Sequence, residues 1–110
     1  MMSPQIKRGS AEIAILAVLA GEPRHGYDIA RQIERETGGA LSFTLASLYP
    51  MLYRMEKRGW VKGSWSRKSE GRRRRSYRLT PAGRRQFVSL SQQWRSFFQA
   101  LDRLVGVARA

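Results

Sequence analysis

The sequence predicts a mainly α-helical fold with one small β-hairpin, a winged helix-turn-helix followed by a C-terminal dimerisation helix. Three segments with helical spacing of apolar residues come first, and two runs of alternating apolar and polar residues follow. A long segment with a heptad pattern ends the chain. The 110 residues suffice for one modest core. We therefore divide the chain into an arm (1–8), a winged domain (9–80) and a C-terminal helix (81–110).

Charge is the most unusual feature of the composition. Lys and Arg number 21 against 8 Asp and Glu, which gives a formal net charge of +13. Such a charge attracts polyanions, either nucleic acid or an anionic membrane surface. Cysteine is absent, which excludes disulfides and thiolate metal sites and is typical of a reducing compartment. Because no apolar run approaches the roughly 20 residues of a membrane span, we expect a cytoplasmic protein. We expect no membrane partner, since a peripheral membrane protein needs its cationic face opposite an apolar stripe on one helix, and here the arginines and the aromatic seam lie on different elements.

The first two predicted helices form the base of the domain. A flexible basic arm over residues 1–8 precedes Ser10, the predicted N-cap of the first helix, and Gly21 with Pro23 ends that helix. The second helix is predicted over residues 25–37 and ends at two glycines. The residues predicted to share its inward face are Tyr27, Ala30 and Ile33.

The third helix, predicted between Thr44 and Gly59, has the features of a recognition helix. One stripe is apolar and consists of Leu45, Leu48, Leu52 and Met55. The opposite side is short, polar and positive, with Ser47, Met51, Arg54 and Arg58. A start at Thr44 puts Pro50 past the first turn, so the helix either begins nearer Ser47 or bends at the proline. Two roles are open for Tyr49, a core aromatic or a hydroxyl that faces a phosphate.

A β-hairpin is predicted from the alternating runs that follow, joined by a polar loop that contains glycine. Arg72 to Arg75 lie at its tip and at the start of its second strand. Four adjacent like charges contribute nothing to a core, so they form either a solvated loop or a binding element. Arginine suits the second role because its planar, permanently charged fork binds phosphate in two places.

The basic helix face and the basic hairpin together predict binding to DNA. A recognition helix reads base edges in the major groove, which is about 12 Å wide, while a basic wing binds phosphates or enters a narrow minor groove. The residues predicted to contact DNA are Thr44, Ser47, Tyr49, Arg54, Arg58, Lys68, Arg72, Arg73, Arg74 and Arg75.

The last helix begins with Thr80 as N-cap and Pro81 in the first turn. Its apolar residues form a heptad seam that consists of Phe87, Leu90, Trp94, Phe97, Leu101 and Leu104. The seam either packs on the chain's own core or joins two copies. Because a helix of about 25 residues spans about 37 Å, longer than one face of a domain that closes with Leu79, self-association is favoured.

Three segments together resemble the PadR family of bacterial transcriptional regulators. RGSAEIAILAVLAGEPRHGYDIARQIE is similar to that family's first two helices, and SLYPMLYRMEKRGWV to its recognition helix. GRRRRSYRLTPAG is similar to its wing and the start of its dimerisation helix. A departure is the pair Leu45-Ala46, where the family more often has Pro-Gly. The single short C-terminal helix resembles the compact subfamily.

This resemblance implies a homodimeric repressor that binds an inverted-repeat operator. We expect no cofactor. It also implies release by a small, often aromatic, ligand or by another signal. In some relatives a tryptophan of the last helix lines a cavity between subunits, and Trp94 is the residue that would match. Plain packing in the interface is the alternative role for Trp94.

Other classes of function are less well supported by the residues. The rival is a basic architectural or RNA-associated protein that coats nucleic acid without choosing a sequence. An enzyme is disfavoured, because the sequence has no paired carboxylates at useful spacing and no glycine-rich phosphate loop, and it contains only one histidine. That histidine, His25, has no second ligand at metal spacing, so we expect it to satisfy a hydrogen bond at the start of its helix.

Overall fold

The computed structural model describes residues 4–65 and 74–109. Four helices and three short strands follow one another in these ranges, in the order α1 (Pro4–Gly21), β1 (Arg24–His25), α2 (Gly26–Glu36), α3 (Leu45–Lys57), β2 (Val61–Trp65), β3 (Arg75–Leu79) and α4 (Pro81–Arg109). This order confirms the predicted mainly helical fold with a small hairpin. Within the described ranges, no helix is both long and apolar enough to cross a membrane.

The sheet is antiparallel with the order β1-β3-β2, so β3 lies in its centre. The predicted hairpin is confirmed, with Val61 opposite Leu79 and Trp65 opposite Arg75. Strand β1, which pairs with Tyr77 and Ser76, was not predicted because two residues are too few to show an alternating pattern. Three predicted DNA contacts of the hairpin tip lie outside the described residues, namely Lys68, Arg72 and Arg73.

Helix α1 begins earlier than the sequence analysis predicted. It starts at Pro4, because proline is well tolerated at the first helical position, where an N–H has no partner within the helix. Ser10 therefore lies inside the helix and is buried, so the prediction that it caps the helix is wrong. Residues 4–8 of the predicted arm belong to this helix, and residues 1–3 lie outside the described part of the chain.

The core lies where α1, α2, α3 and the sheet meet. Its buried apolar residues are Ala11, Ile15, Leu16, Leu19, Ile29, Ile33, Phe43, Leu48, Leu52, Met55, Val61, Tyr77 and Leu79. Three predicted inward residues are not among them. Ala30 is only partly buried and packs against the core. Tyr27 is 56% exposed, since Ile29 and Ile33 face the core one helical turn apart, and Leu45 is also exposed. The buried stripe of α3 is therefore shorter than predicted.

The start of α3 is set by its N-cap. The Thr44 backbone is extended, and the Ser47 N–H donates a hydrogen bond to Thr44 Oγ1 at 3.2 Å. Of the two starts that the sequence allowed, the structure has the earlier one, and Pro50 lies inside the helix. The proline removes the hydrogen bond that Ala46 would have accepted, and the helix continues past it to Lys57.

Helix α4 is fixed to the winged domain at its first turn. The Gly83 N–H donates to Thr80 Oγ1 at 3.0 Å, which confirms Thr80 as the cap. The Thr80 hydroxyl in turn donates to the Gly59 carbonyl. Phe87 and Leu90 pack on the core, so the prediction that the domain closes with Leu79 is wrong. The first turns of α4 therefore complete the core.

The rest of α4 projects from the domain. The helix has 29 residues, which corresponds to a length of about 43 Å. The molecule measures 60 × 28 × 21 Å. Its radius of gyration of 15.9 Å exceeds the roughly 13 Å of a compact chain of this length. The projecting part of α4 can therefore contact another molecule without any change in the winged domain.

Candidate nucleic-acid interface

The outer face of α3 is wider than the sequence analysis predicted. Leu48, Leu52 and Met55 face the core, so at 100° per residue the opposite direction falls on Ala46, Pro50, Tyr53 and Lys57. Tyr53 and Lys57 are exposed and in contact, with Lys57 Nζ 4.8 Å from the Tyr53 ring centroid. Neither residue was predicted as a DNA contact. Their spacing from Leu48 and Leu52 in the sequence already indicated that they lie on the outward side of the helix.

The predicted contacts of α3 lie on both flanks of this outward strip. Ser47 and Arg54 share one flank and both are exposed. Arg58, on the same side, is engaged within the chain, because its guanidinium lies 3.7 Å from a Glu12 carboxylate oxygen of α1 and 5.1 Å from the Trp60 ring centroid. Arg58 therefore connects the end of α3 to α1.

Tyr49 lies on the other flank, toward the wing. Its ring covers Gly26 of α2 so closely that a Cβ at Gly26 would lie 2.7 Å from Tyr49 Cε1. The side chain remains 43% exposed, so it is not a core aromatic. Of the two roles that the sequence left open, burial in the core is excluded, and a role at the phosphate backbone stays a prediction.

Arg75, another predicted DNA contact, directs its guanidinium at α3. Its Nη2 lies 2.8 Å and 3.1 Å from the two carboxylate oxygens of Glu56. The hydrogen bond to Glu56 raises the pKa of Arg75 above its ordinary value. The neighbouring Tyr77 is buried beside it, and this burial raises the pKa of its phenol. Arg74, which directly precedes β3, is exposed.

A cleft of about 460 Å³ separates the start of α2 from the wing. Its walls are mainly aromatic and basic, with His25, Tyr27, Tyr49, Trp65, Arg74 and Arg75. His25 makes no side-chain cap, and its Nδ1 is buried without a hydrogen-bond partner among the described residues. The prediction that His25 satisfies a hydrogen bond at its helix start is therefore wrong. Among the described side chains, no group of three or more His, Asp and Glu could hold a metal ion.

The hairpin carries a second basic feature that the sequence analysis missed. Lys62 and Arg78 lie directly opposite each other on neighbouring strands, and both are exposed. Like charges in this arrangement destabilise a strand pair. The outward face of the hairpin thus carries a pair of positive charges. The alternation of residues 61–65 and 75–79 in the sequence already indicated that Lys62 and Arg78 share this face.

Helix α4 presents an apolar stripe beyond the core. Trp94 is partly buried, and its ring centroid lies 5.3 Å from Phe98 and 6.2 Å from Phe97. Past this cluster Leu101 and Leu104 are exposed, Leu104 to 68%. Phe98 and Val105 extend the stripe and were not predicted. Phe87 and Leu90, the first two residues of the predicted seam, pack on the chain's own core instead of projecting.

An apolar groove of about 540 Å³ lies beside this cluster, between α1 and α4. Ile13, Ala14 and Ala17 of α1 form one wall, and Trp94 with Phe98 forms the other. The groove and the exposed stripe of α4 are continuous, because Phe98 belongs to both.

Comparison with known proteins finds one family and several close folds. The model of the transcriptional regulator PadR-like family matches residues 15–89. A transcriptional regulator from Clostridium thermocellum has a TM-score of 0.84 and 26% identity, covering 94% of this chain and 97% of that one. A PadR-like transcriptional regulator from Bacillus cereus has a TM-score of 0.80 and 26% identity, covering 92% and 96%. Bacillus subtilis PadR, solved in complex with operator DNA, has a TM-score of 0.66 and 24% identity, covering 72% and 44%.

Proposed function

Because the chain belongs to the PadR-like family of transcriptional regulators, we propose that it is a repressor that binds an inverted-repeat operator as a homodimer. One observation carries the proposal. A capped helix with an exposed polar and basic face lies beside a basic hairpin, in a chain of net charge +13. The Bacillus subtilis relative, which shares the fold, was solved with operator DNA. A cytoplasmic location follows from this partner.

In this proposal the helix and the wing have separate tasks. Ser47 and Arg54 read base edges in the major groove, with Tyr53 and Lys57 beside them. Thr44, Tyr49 and Arg58 hold the backbone that borders the groove. The residues of the wing that bind phosphate are Lys68, Arg72, Arg73 and Arg74. Phosphate contacts set affinity and position, while base contacts set the preferred sequence.

The dimer forms along the projecting part of α4. Phe97, Leu101 and Leu104 are exposed there together with Phe98 and Val105, a longer apolar stripe than a soluble monomer usually presents to water. A second copy covers the stripe and the groove beside it. Two-fold symmetry then sets the half-sites about 34 Å apart, one turn of DNA, or a multiple of it.

A small aromatic effector fits the same region. The groove beside Trp94 has a volume of about 540 Å³ and nearly apolar walls, which suits one planar organic molecule. Binding there releases DNA if it changes the angle between the two copies of α4. Plain packing of Trp94 between the subunits is the alternative role.

A footprint on the DNA upstream of the protein's own gene tests the proposal. A repressor gives a discrete footprint with two-fold sequence symmetry, whereas the rival architectural or RNA-associated protein coats the fragment uniformly. If about 6–10 phosphates are neutralised per dimer, log K falls with log salt at a slope of about −5 to −9.

A further inference from the structure

We infer that Glu56 and Arg75 form a positioning pair, which holds the wing at a fixed angle to the recognition helix, and that Arg75 does not bind phosphate. The inference rests on the proposed function, since it concerns how the helix and the wing act on one duplex. It separates Arg75 from the other arginines of its run, which the sequence treats alike.

Glu56 connects the last turn of α3 to both strands of the hairpin. One carboxylate oxygen accepts a hydrogen bond from the Gly63 N–H of β2 at 3.2 Å. The same oxygen accepts from Arg75 Nη2 of β3 at 2.8 Å, and the other oxygen lies 3.1 Å from that nitrogen. Both side chains are less than one third exposed, 27% for Arg75 and 30% for Glu56. Charge-assisted hydrogen bonds of this length are about twice as strong as neutral ones.

The hairpin is shaped around the Arg75 guanidinium. Trp65 and Tyr77 place their ring centroids 5.4 Å and 5.7 Å from it, within the range of cation–π attraction. Gly63 supplies the space, because a Cβ there would lie 2.6 Å from Arg75 Nη2. A guanidinium held on these sides would have to leave its carboxylate and its rings before it could bind a phosphate.

The charges favour positioning over phosphate binding. The pair has no net charge, so it releases no counterions when DNA binds. Its contribution is geometric. A five-residue strand such as β2 is about 16 Å long, so a tilt of about 10° moves its far end by about 3 Å, well beyond the roughly 0.5 Å tolerance of a functional site. After such a tilt, α3 could no longer read bases while the wing binds phosphates of the same duplex.

Glu56→Gln distinguishes the two roles of Arg75 by the direction of its effect. A phosphate-binding Arg75 would be released by this change, so affinity for DNA would rise and the salt slope would steepen. A positioning pair is instead weakened, so affinity for the operator falls even though the change removes one negative charge. We expect the second result.

Two further variants measure the size of the effect. We expect Glu56→Gln combined with Arg75→Gln to lower the ratio of operator to random-DNA affinity about ten-fold, the effect of losing one charge-assisted interaction. Gly63→Ala keeps every charge but displaces the guanidinium, and we expect the ratio to fall in the same direction. Arg78→Gln is the matched control, because it removes an arginine from the outward face of the same strand. It should weaken operator and random DNA alike.

The titrations use the full-length chain on a labelled operator fragment and a scrambled fragment of the same length, at several salt concentrations. The inference is overturned if Glu56→Gln tightens binding, or if the double variant keeps the wild-type affinity ratio. A wild-type chain without preference for any operator fragment overturns the proposed function instead, and it does so before any variant is compared.

Discussion

Replacing Gly83 by alanine tests how α4 is fixed to the winged domain. Gly83 is buried in the first turn of α4, against the backbone of Trp60. An alanine Cβ would lie 1.9 Å from the Trp60 carbonyl oxygen and 2.8 Å from its carbonyl carbon. These are backbone atoms of the segment that leads into β2, so no side-chain rotation relieves the clash.

The cost of this substitution can be worked out from the contacts around it. The start of α4 must move by about 1.5 Å before the added Cβ and the Trp60 carbonyl oxygen reach an ordinary contact distance of about 3.4 Å. That movement breaks the bonds that Thr80 donates to Trp60 and to Gly59, each worth about 1 kcal/mol. Overpacking against the core adds about 1–3 kcal/mol, and the higher helix propensity of alanine returns about 1 kcal/mol. The net loss in the free energy of unfolding is therefore about 2–4 kcal/mol.

Thermal unfolding followed by circular dichroism measures the loss. With an unfolding entropy of about 2.1 cal/mol/K per residue, 2–4 kcal/mol lowers Tm by about 9–17 °C. Gly106→Ala is the matched control, because Gly106 lies in the same helix with no atom within 4 Å of an added Cβ. It should leave Tm unchanged or raise it slightly. Equal protein concentrations are needed, since association also affects Tm. A Gly83→Ala protein that melts within about 2 °C of the wild type would refute the packing of α4 on Trp60.

The remaining predictions concern DNA binding, assembly and pH. Ser47→Ala should change the preferred base at one position of a selected DNA site, with affinity for random DNA unaltered. Alanine at Arg73 and Arg74 should flatten the salt slope on all sequences, by about 0.9 for each phosphate that is no longer neutralised, and an unchanged slope would remove them from the interface. Leu104→Asp should convert the proposed dimer to a folded monomer in sedimentation, because the side chain is exposed in the single chain. The raised pKa of Tyr77 means that the folded state holds the phenol proton more tightly than the unfolded state does. The contribution of this group to the free energy of unfolding is fully present below a pH of about 10 and is lost as pH rises through the folded pKa. Tyr77→Phe should remove that loss in denaturant titrations at high pH.

The sequence predicted the elements well where a periodic pattern was long enough. The stripe of Leu48, Leu52 and Met55 and the alternation around Tyr77 determined both the recognition helix and the hairpin. Ser10 was wrongly predicted to cap α1, because serine is a good cap but is also small enough to be buried inside a helix. The two residues of β1 gave no pattern at all.

The details of the site depend on interactions between distant residues. Glu56 and Arg75 are 19 positions apart, and nothing in the run of four arginines indicates that Arg75 faces α3. The close approach of Gly83 to Trp60 is likewise set by how α4 packs. Local patterns therefore predicted which segments form the helix and the hairpin, and the structure was needed to show which side chains are engaged within the chain.

Selection of binding sites from a random DNA library tests most directly whether two winged domains read one duplex together. The full-length protein is mixed with the library, and bound molecules are recovered and sequenced over several rounds. The recovered sites should converge on a two-fold symmetric motif with half-sites one helical turn apart, or a multiple of it. A recovered pool as diverse as the input, or a single unpaired half-site, would contradict the account.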